Sequence, residues 1–323
     1  MEPQYQTSST AIALTPEGPT VPALGVGTWA WGDSFFWSYG KDYTERDLRA
    51  AFEASVAAGV NFFDTAEVYG LGESERLIGR FLQQVEEPTF IATKYFPLPW
   101  RFSGKAVAET LTASLDRLQL GAVDLYQVHM PFDFFMGQKE LMNALANEVK
   151  QGRVKAIGVS NYSAEQMQAA HDYLAERGIP LAVNQVQYSL LHRQIEGNGV
   201  LAMARQLDIK ILAYSPLAQG LLTGKYSASD YQAPSGARQL NPRFSKQGLT
   251  RIELVLKTLE EIAAAHDKTP AQVALNWLIC LGDVIPIPGA KNAHQASQNA
   301  GALGWHMTPE EHAKLGRVTQ PWL

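Results

Sequence analysis

Four residues able to carry proton chemistry stand at the ends of successive apolar runs in this 323-residue chain. Asp64 closes VNFFD, Tyr69 lies five residues further on, Lys94 closes PTFIATK and His129 closes AVDLYQVH. An ammonium beside a phenol favours the phenolate, so Lys94 is expected to lower the tyrosine pKa from its usual value near 10 and make it a better acid. A carboxylate beside the lysine holds it charged and in place. A histidine can hydrogen-bond and orient a substrate oxygen. Together the four suit carbonyl reduction, in which the alkoxide formed by hydride addition needs a proton. Tyr69 is then the acid, Lys94 its tuner, Asp64 the lysine's partner and His129 the orienting group. No side chain supplies hydride, so a nicotinamide cofactor is required. Singly, each residue has a plainer reading as a helix cap, a structural hydrogen-bonder or surface. Their convergence from adjacent strand ends is what carries the chemistry.

That convergence needs a scaffold. Apolar β-type runs alternate with helical stretches along the whole chain. Thr20 to Trp29 reads as a first strand region, Thr44 to Gly59 as a helix capped by Thr44, and Ser103 to Leu120 as a helix with apolar residues at helical spacing. Later units include the strands VKAIGVSN, LAVNQVQ, IKILAYSP and VIPIP, helices around Arg251 to Ala265 and Pro270 to Cys280, and a last helix in NAHQASQNAGAL. Eight strands, each followed by helix, predict an α/β fold: a (β/α)8 TIM barrel, with catalytic residues at the C-terminal strand ends. A doubly wound open sheet is the alternative, usually with fewer strands. No linker-like tract divides the chain, so residues 1–323 are expected to form a single domain. The irregular segment 226–248 is expected to be a loop over the site.

Composition narrows the function further. The hydrophobic fraction is 46% and the charged fraction 18%, against roughly 25% charged in typical soluble proteins, which argues against disorder. A net charge of -5 argues against a nucleic-acid or anionic-membrane surface. One cysteine, Cys280, excludes a disulfide framework and suits a reducing compartment. No long apolar run predicts a membrane span, and MEPQYQTSST lacks the marks of a secretory signal, so a cytoplasmic location is expected. The seven histidines show no metal spacing, and no metal is expected. Gly25 to Ala30 matches G-x-G-x-x-A, but the aromatic, glycine-broken stretch that follows is no helix, so it is not a dinucleotide-binding turn.

Around these residues the chain resembles the aldo-keto reductase superfamily. The matching segments are NFFDTAEVYG, ATKY, LDRLQLGAVDLYQVHMP, GRVKAIGVSNYS, VNQVQYSLL, LAYSPLAQGLLTGKY and IPIPGAKNAHQASQN, spread over nearly the whole chain. Within the superfamily it looks most like the plant-chloroplast and cyanobacterial reductases that include pyridoxal reductases. The resemblance implies an NADP(H)-dependent barrel reducing aldehydes and ketones, with a tetrad on Asp64, Tyr69, Lys94 and His129. It places the nicotinamide carboxamide at Ser160, Asn161 and Gln185 and the nicotinamide-stacking ring at Tyr214. The pyrophosphate segment falls on Ser215, Pro216, Leu217, Gln219 and Gly220. The adenosine 2′-phosphate region falls on Gly289, Ala290, Lys291, Gln295, Gln298 and Asn299. Gly27, Thr28, Trp29 and Asp64 complete the expected cofactor contacts. Gln295 and Gly289 stand where many members carry arginine and lysine, which leaves Lys291, two residues on, to offer the ammonium. NADPH is therefore expected to be preferred over NADH. Arg238 is either a second phosphate contact or a solvated loop arginine.

The expected substrate pocket is aromatic: Trp29, Trp31 and Trp37 from the first loop, Trp100 after the third strand and Phe132 after the fourth. Phe35 and Phe135 are expected only to pack the loops together. Such a pocket suits pyridoxal or an aromatic or apolar aldehyde. The alternative function is that of a cofactor-binding regulatory subunit of the same fold, like potassium-channel β-subunits, which also retain a tetrad. A barrel hydrolase would need paired carboxylates or a metal at the strand ends, where Lys94 and His129 stand instead. The oligomeric state is left open.

Overall fold

A computed structural model describes residues 10–134, 136–229, 231–232, 238 and 241–323. A short antiparallel hairpin, β1 (Ala11–Ala13) and β2 (Thr20–Pro22), precedes the barrel. The expected first strand is thus split: Thr20–Pro22 belongs to the hairpin, and only Val26–Gly27 enters the barrel as β3. The other barrel strands are β4 (Phe62–Asp64), β5 (Phe90–Tyr95), β6 (Val123–Val128), β7 (Val154–Ser160), β8 (Leu181–Gln187), β9 (Lys210–Tyr214) and β10 (Val284–Pro286). All eight pair in parallel and in chain order, with helices in the crossovers. The chain is a (β/α)8 barrel, as expected.

The barrel closes between its first and last strands. Gly25 and Gly27 donate their N–H groups to Pro286 and Pro288 oxygens at 3.0 and 3.1 Å, and Gly27 bridges Gly289. A Cβ on Gly27 would lie 2.7 Å from the Ile287 oxygen, so the seam shuts only because that position has no side chain.

The helices start where cap chemistry places them. Ser163 accepts from the Gln166 N–H, and the Gln166 side chain accepts from the Ser163 N–H. Thr44 precedes the helix Glu45–Ala57 as expected, its N–H bound by Asp47 at 2.8 Å. One helix boundary and one added helix differ from expectation. The helix Lys246–His266 begins earlier than Arg251, because Ser245 caps it through the Gly248 N–H. It therefore takes over the end of the expected 226–248 loop; residues 230, 233–237, 239 and 240 of that loop lie outside the described residues. A further helix, Pro309–Val318, follows the one expected to be last. Its signal was in the sequence: Thr308 and Glu311 form a capping box with Pro309 in the first turn. Buried Arg193 anchors it, donating to the Gly316 oxygen at 2.6 Å and Thr319 Oγ1 at 2.8 Å.

Candidate active site

The site stands at the C-terminal ends of β4, β5 and β6. Lys94 is fully buried in the barrel mouth, and its three ammonium protons have three acceptors: Asp64 Oδ2 at 2.5 Å, the Thr65 oxygen at 2.8 Å and Tyr69 Oη at 3.4 Å. The other Asp64 oxygen accepts from Gln127 Nε2 at 2.9 Å and Gln185 Nε2 at 2.8 Å. A carboxylate so surrounded and paired is the arrangement a buried charge requires.

Tyr69 is presented by a strained turn. Gly70, Leu71 and Gly72 all have positive φ, and a Cβ on Gly70 would meet the Gly32 oxygen at 2.7 Å. The turn thus packs directly against the first loop. Behind it, Ser74 binds Thr28 Oγ1 and Thr65 Oγ1, each at 2.8 Å. Fully buried Glu75 takes Thr93 Oγ1 at 2.5 Å and Arg117 Nε at 2.6 Å. These bonds pin the residue after Asp64 and the residue before Lys94 to one helix, Glu73–Leu82.

The electrostatics correct one expectation. Burial raises the Tyr69 pKa; Lys94 lowers it and Asp64 raises it again, and the net shift is upward. Desolvation of a phenolate outweighs the ammonium, so Tyr69 keeps its proton instead of losing it easily. Burial disfavours the Lys94 ammonium, but Asp64 and Tyr69 more than compensate and its pKa lies above the usual lysine value. Burial and the Lys94 charge push His129 down to about 3, so its imidazole is neutral at physiological pH. His129 packs edge-on against Tyr69, with ring centroids 5.6 Å apart.

The remaining expected site residues divide into groups. Tyr214 Oη donates to Asn161 Oδ1 at 3.1 Å, which joins two of the expected nicotinamide contacts. Ser160 and Gln185 are buried below them; Ser160 donates to the Gln185 oxygen, and Gln185 serves Asp64. Ser215, Ala218, Gln219 and Gly220 all have positive φ. Non-glycine residues in that region cost about 1–2 kcal/mol each, so this bend is held against strain. The Ala218 and Gly220 N–H groups donate to the Ser215 and Leu217 oxygens, both at 2.9 Å, and close the bend on itself. Pro216 is buried beneath it. Arg238 donates to the Gln219 oxygen at 3.0 Å, which ties the long loop to this bend.

Lys291 and Arg238 converge on one indole. Their cations lie 4.7 and 5.6 Å from the Trp37 ring centroid, and Lys291 is also 4.4 Å from Tyr43. Burial and Arg238 lower the Lys291 pKa to about 8. Gln295 accepts from the Lys291 N–H at 2.8 Å and Asn299 donates to the Gly289 oxygen at 3.3 Å, so both brace this turn. Gln298 likewise accepts, through its backbone oxygen, from Gln272. Buried Ala290 accepts from Trp31. Two cations, one of them bonded to this bend, supply positive charge that fits the phosphates of a dinucleotide.

Three aromatic expectations need correction, and one other. Trp31 does not line a pocket: it is fully buried against Phe63 and Phe81, its Nε1 bound to the Ala290 oxygen at 2.8 Å. Trp37 stands with the Lys291 and Arg238 cations, its ring 5.3 Å from that of Trp29. Phe35 does not seal the loops but is 87% exposed, while Phe135 lies outside the described residues. Thr28 is fully buried with its hydroxyl on the Asp64 oxygen and Ser74, so it braces the site and does not face a ligand. Trp29, Trp100 and Phe132 are exposed on the loops that follow β3, β5 and β6. Sequence reasoning missed Gln127. A glutamine in the otherwise apolar VDLYQV strand, two residues before His129, was the available signal. It also missed Glu67 and Arg101, whose paired charges bridge two of the loops. Among the described residues no group of side chains could hold a metal ion, and no helix is long and apolar enough to cross a membrane.

A buried Asp–Lys pair touching a half-buried Tyr, with a neutral histidine beside it on the C-terminal rim of a (β/α)8 barrel, is the site of an oxidoreductase. The chain belongs to the aldo/keto reductase family, whose family model matches residues 23–319. It is 40% identical over 311 residues to a chloroplastic pyridoxal reductase of Arabidopsis thaliana, covering 92% of this chain and 83% of that one. Its structure is similar to a glycerol dehydrogenase from Gluconobacter oxydans (TM-score 0.85, 28% identity, 97% and 96% of the two chains). It is also similar to an aldo-keto reductase from Klebsiella pneumoniae in complex with NADPH (TM-score 0.73, 29% identity, 97% and 96%).

The buried pair yields a stability prediction. Lys94→Met leaves Asp64 charged and unpaired, which should lower the unfolding free energy by about 3–5 kcal/mol. Adding Asp64→Asn should restore much of it. Urea unfolding of both variants checks this; a double variant no more stable than Lys94→Met would contradict the reading.

Proposed function

We propose that the protein is an NADPH-dependent reductase of aldehydes and ketones with Tyr69 as the proton donor. The observation that carries the reading is Lys94, buried and charged, touching both Asp64 and Tyr69 Oη. When bound along the rim, a nicotinamide supplies the hydride. The π electrons of the carbonyl then go to its oxygen, and Tyr69 gives that oxygen its proton. Lys94 stabilises the resulting phenolate, and Asp64 keeps Lys94 charged. A raised phenol pKa suits a donor that must hold its proton until the alkoxide forms. The His129 Nδ1 is buried with no hydrogen-bond partner among the described residues. A buried lone pair is less costly to leave unpaired than a buried N–H, so the proton sits on Nε2 and is donated to the carbonyl oxygen.

The substrate class follows from the exposed aromatic mouth formed by Trp29, Trp100 and Phe132 and from the pyridoxal reductase among the relatives. Pyridoxal or another aromatic or apolar aldehyde fits both. NADPH is the preferred cofactor, its 2′-phosphate held by Lys291 with Arg238 nearby.

Tyr69→Phe should cut turnover by roughly 10²–10⁴-fold, the scale of lost general-acid catalysis, while NADPH binding survives. Steady-state rates and fluorescence titration measure the two; near-normal turnover sinks the assignment. For Lys291, a pKa near 8 means the ammonium is present below pH 8 and lost above it. NADPH affinity should therefore weaken as pH rises beyond about 8, while NADH affinity stays flat. Lys291→Ala should weaken NADPH by about 1–3 kcal/mol and abolish that pH dependence. Equal losses for both cofactors would refute the role.

A further inference from the structure

We propose that Glu67 and Arg101 are positioning residues for His129, acting through the ring of Phe96. The catalytic consequence rests on the reading of His129 as the group that holds the carbonyl oxygen.

A histidine at a working site usually has one ring nitrogen fixed by a hydrogen bond, which sets the direction of the other. Here Nδ1 has no such partner among the described residues. The ring must take its orientation from packing. It stands between two aromatic rings, Tyr69 at 5.6 Å and Phe96 at 5.4 Å, both edge-on.

Phe96 is held at both backbone ends. Its N–H donates to Glu67 Oε1 at 2.7 Å, and its oxygen accepts from Arg101 Nη1 at 2.7 Å. Glu67 and Arg101 close the frame with a two-pronged pair, 2.6 and 2.8 Å, and the guanidinium lies 5.0 Å over Tyr95. Their side chains are only 10% and 17% exposed, so solvent screens the pair little. Glu67 lies between Asp64 and Tyr69 on the loop after β4, whereas Phe96 and Arg101 lie after β5. The clamp thus fixes the distance between the loop that presents Tyr69 and the ring that backs His129.

Among the described residues, few charged and polar groups face His129. Lys94 faces it from β5 and Tyr69 from the β4 loop, with Asp64 behind Lys94. Glu67 and Arg101 reach it only through Phe96. From the end of β7, Asn161 donates to its backbone oxygen at 3.4 Å. Phe96 therefore keeps water from one side of the ring. Loosening it should let His129 hydrate and titrate nearer the usual 6.5 than its present value of about 3.

The test is an NMR titration of His129 in 15N-histidine-labelled protein, compared for the unaltered chain, Glu67→Gln and Phe96→Ala. In the unaltered chain His129 should not titrate above pH 4. In both variants it should titrate between about pH 5 and 6.5, and kcat should gain an acid limb there. At neutral pH kcat should fall about tenfold with the NADPH Kd unchanged. Arg101→Lys should behave like Glu67→Gln, because a lysine cannot supply the fork. If Glu67→Gln lowers the melting temperature while His129 stays silent in it and in folded Phe96→Ala, the clamp is only structural and the proposal is overturned. Full turnover of His129→Gln would instead overturn the role assigned to His129 in catalysis; the titration judges the packing independently.

Discussion

A charge in the mouth of a barrel must be paired, and much of this structure can be understood as the means of pairing Lys94. Its ammonium has no access to water. Asp64, the Thr65 oxygen and Tyr69 Oη take its three protons. Asp64 in turn needs Gln127 from β6 and Gln185 from β8, so four barrel strands contribute to one ion pair. The register of β4 against β5 and of β5 against β6 is what brings these side chains to one level. A one-residue slip of β5 would turn Lys94 outward and leave Asp64 buried without its partner.

That pairing sets the protonation states around it. The ammonium and burial together keep His129 neutral, leaving it a hydrogen-bond donor and not a second cation. The same burial holds the proton on Tyr69 against the pull of Lys94. In the proposed reaction this keeps the acid intact until negative charge develops on a substrate oxygen, with Lys94 already in position to stabilise the phenolate. At the other end of the rim, burial and Arg238 bring Lys291 down to about 8, leaving it poised for an anionic partner.

The barrel and the tetrad were legible in the sequence because each rests on a strong local signal. Strands alternating with capped helices specify the fold, and a polar residue closing an apolar strand marks the rim. The sign of the Tyr69 shift was not legible: it depends on how far burial exceeds a single ammonium, and burial is a product of the assembled loops. The aromatics of the first loop show the same limit. Trp31 and Phe35 are only four residues apart, yet one is core and the other 87% exposed, because a glycine-broken stretch has no periodicity from which to read a face. Gln127 and the Glu67–Arg101 pair act across strands and loops, where sequence spacing carries no distance. The helix Pro309–Val318 is a different case: its Thr308–Glu311 capping box and Pro309 are plain in the sequence, but it lies outside the eight strand–helix units of the barrel.

On the proposed reading, a half-buried phenol, held protonated beside a buried ammonium, donates the proton. The most direct test is the pH dependence of single-turnover NADPH oxidation at saturating NADPH and aldehyde, which removes the influence of Lys291 on binding. The rate should be flat from about pH 6 to pH 9, because neither Tyr69 nor His129 changes state in that range. An alkaline fall centred near pH 7–8 that disappears in Tyr69→Phe would show that Tyr69 loses its proton easily, and would contradict the account.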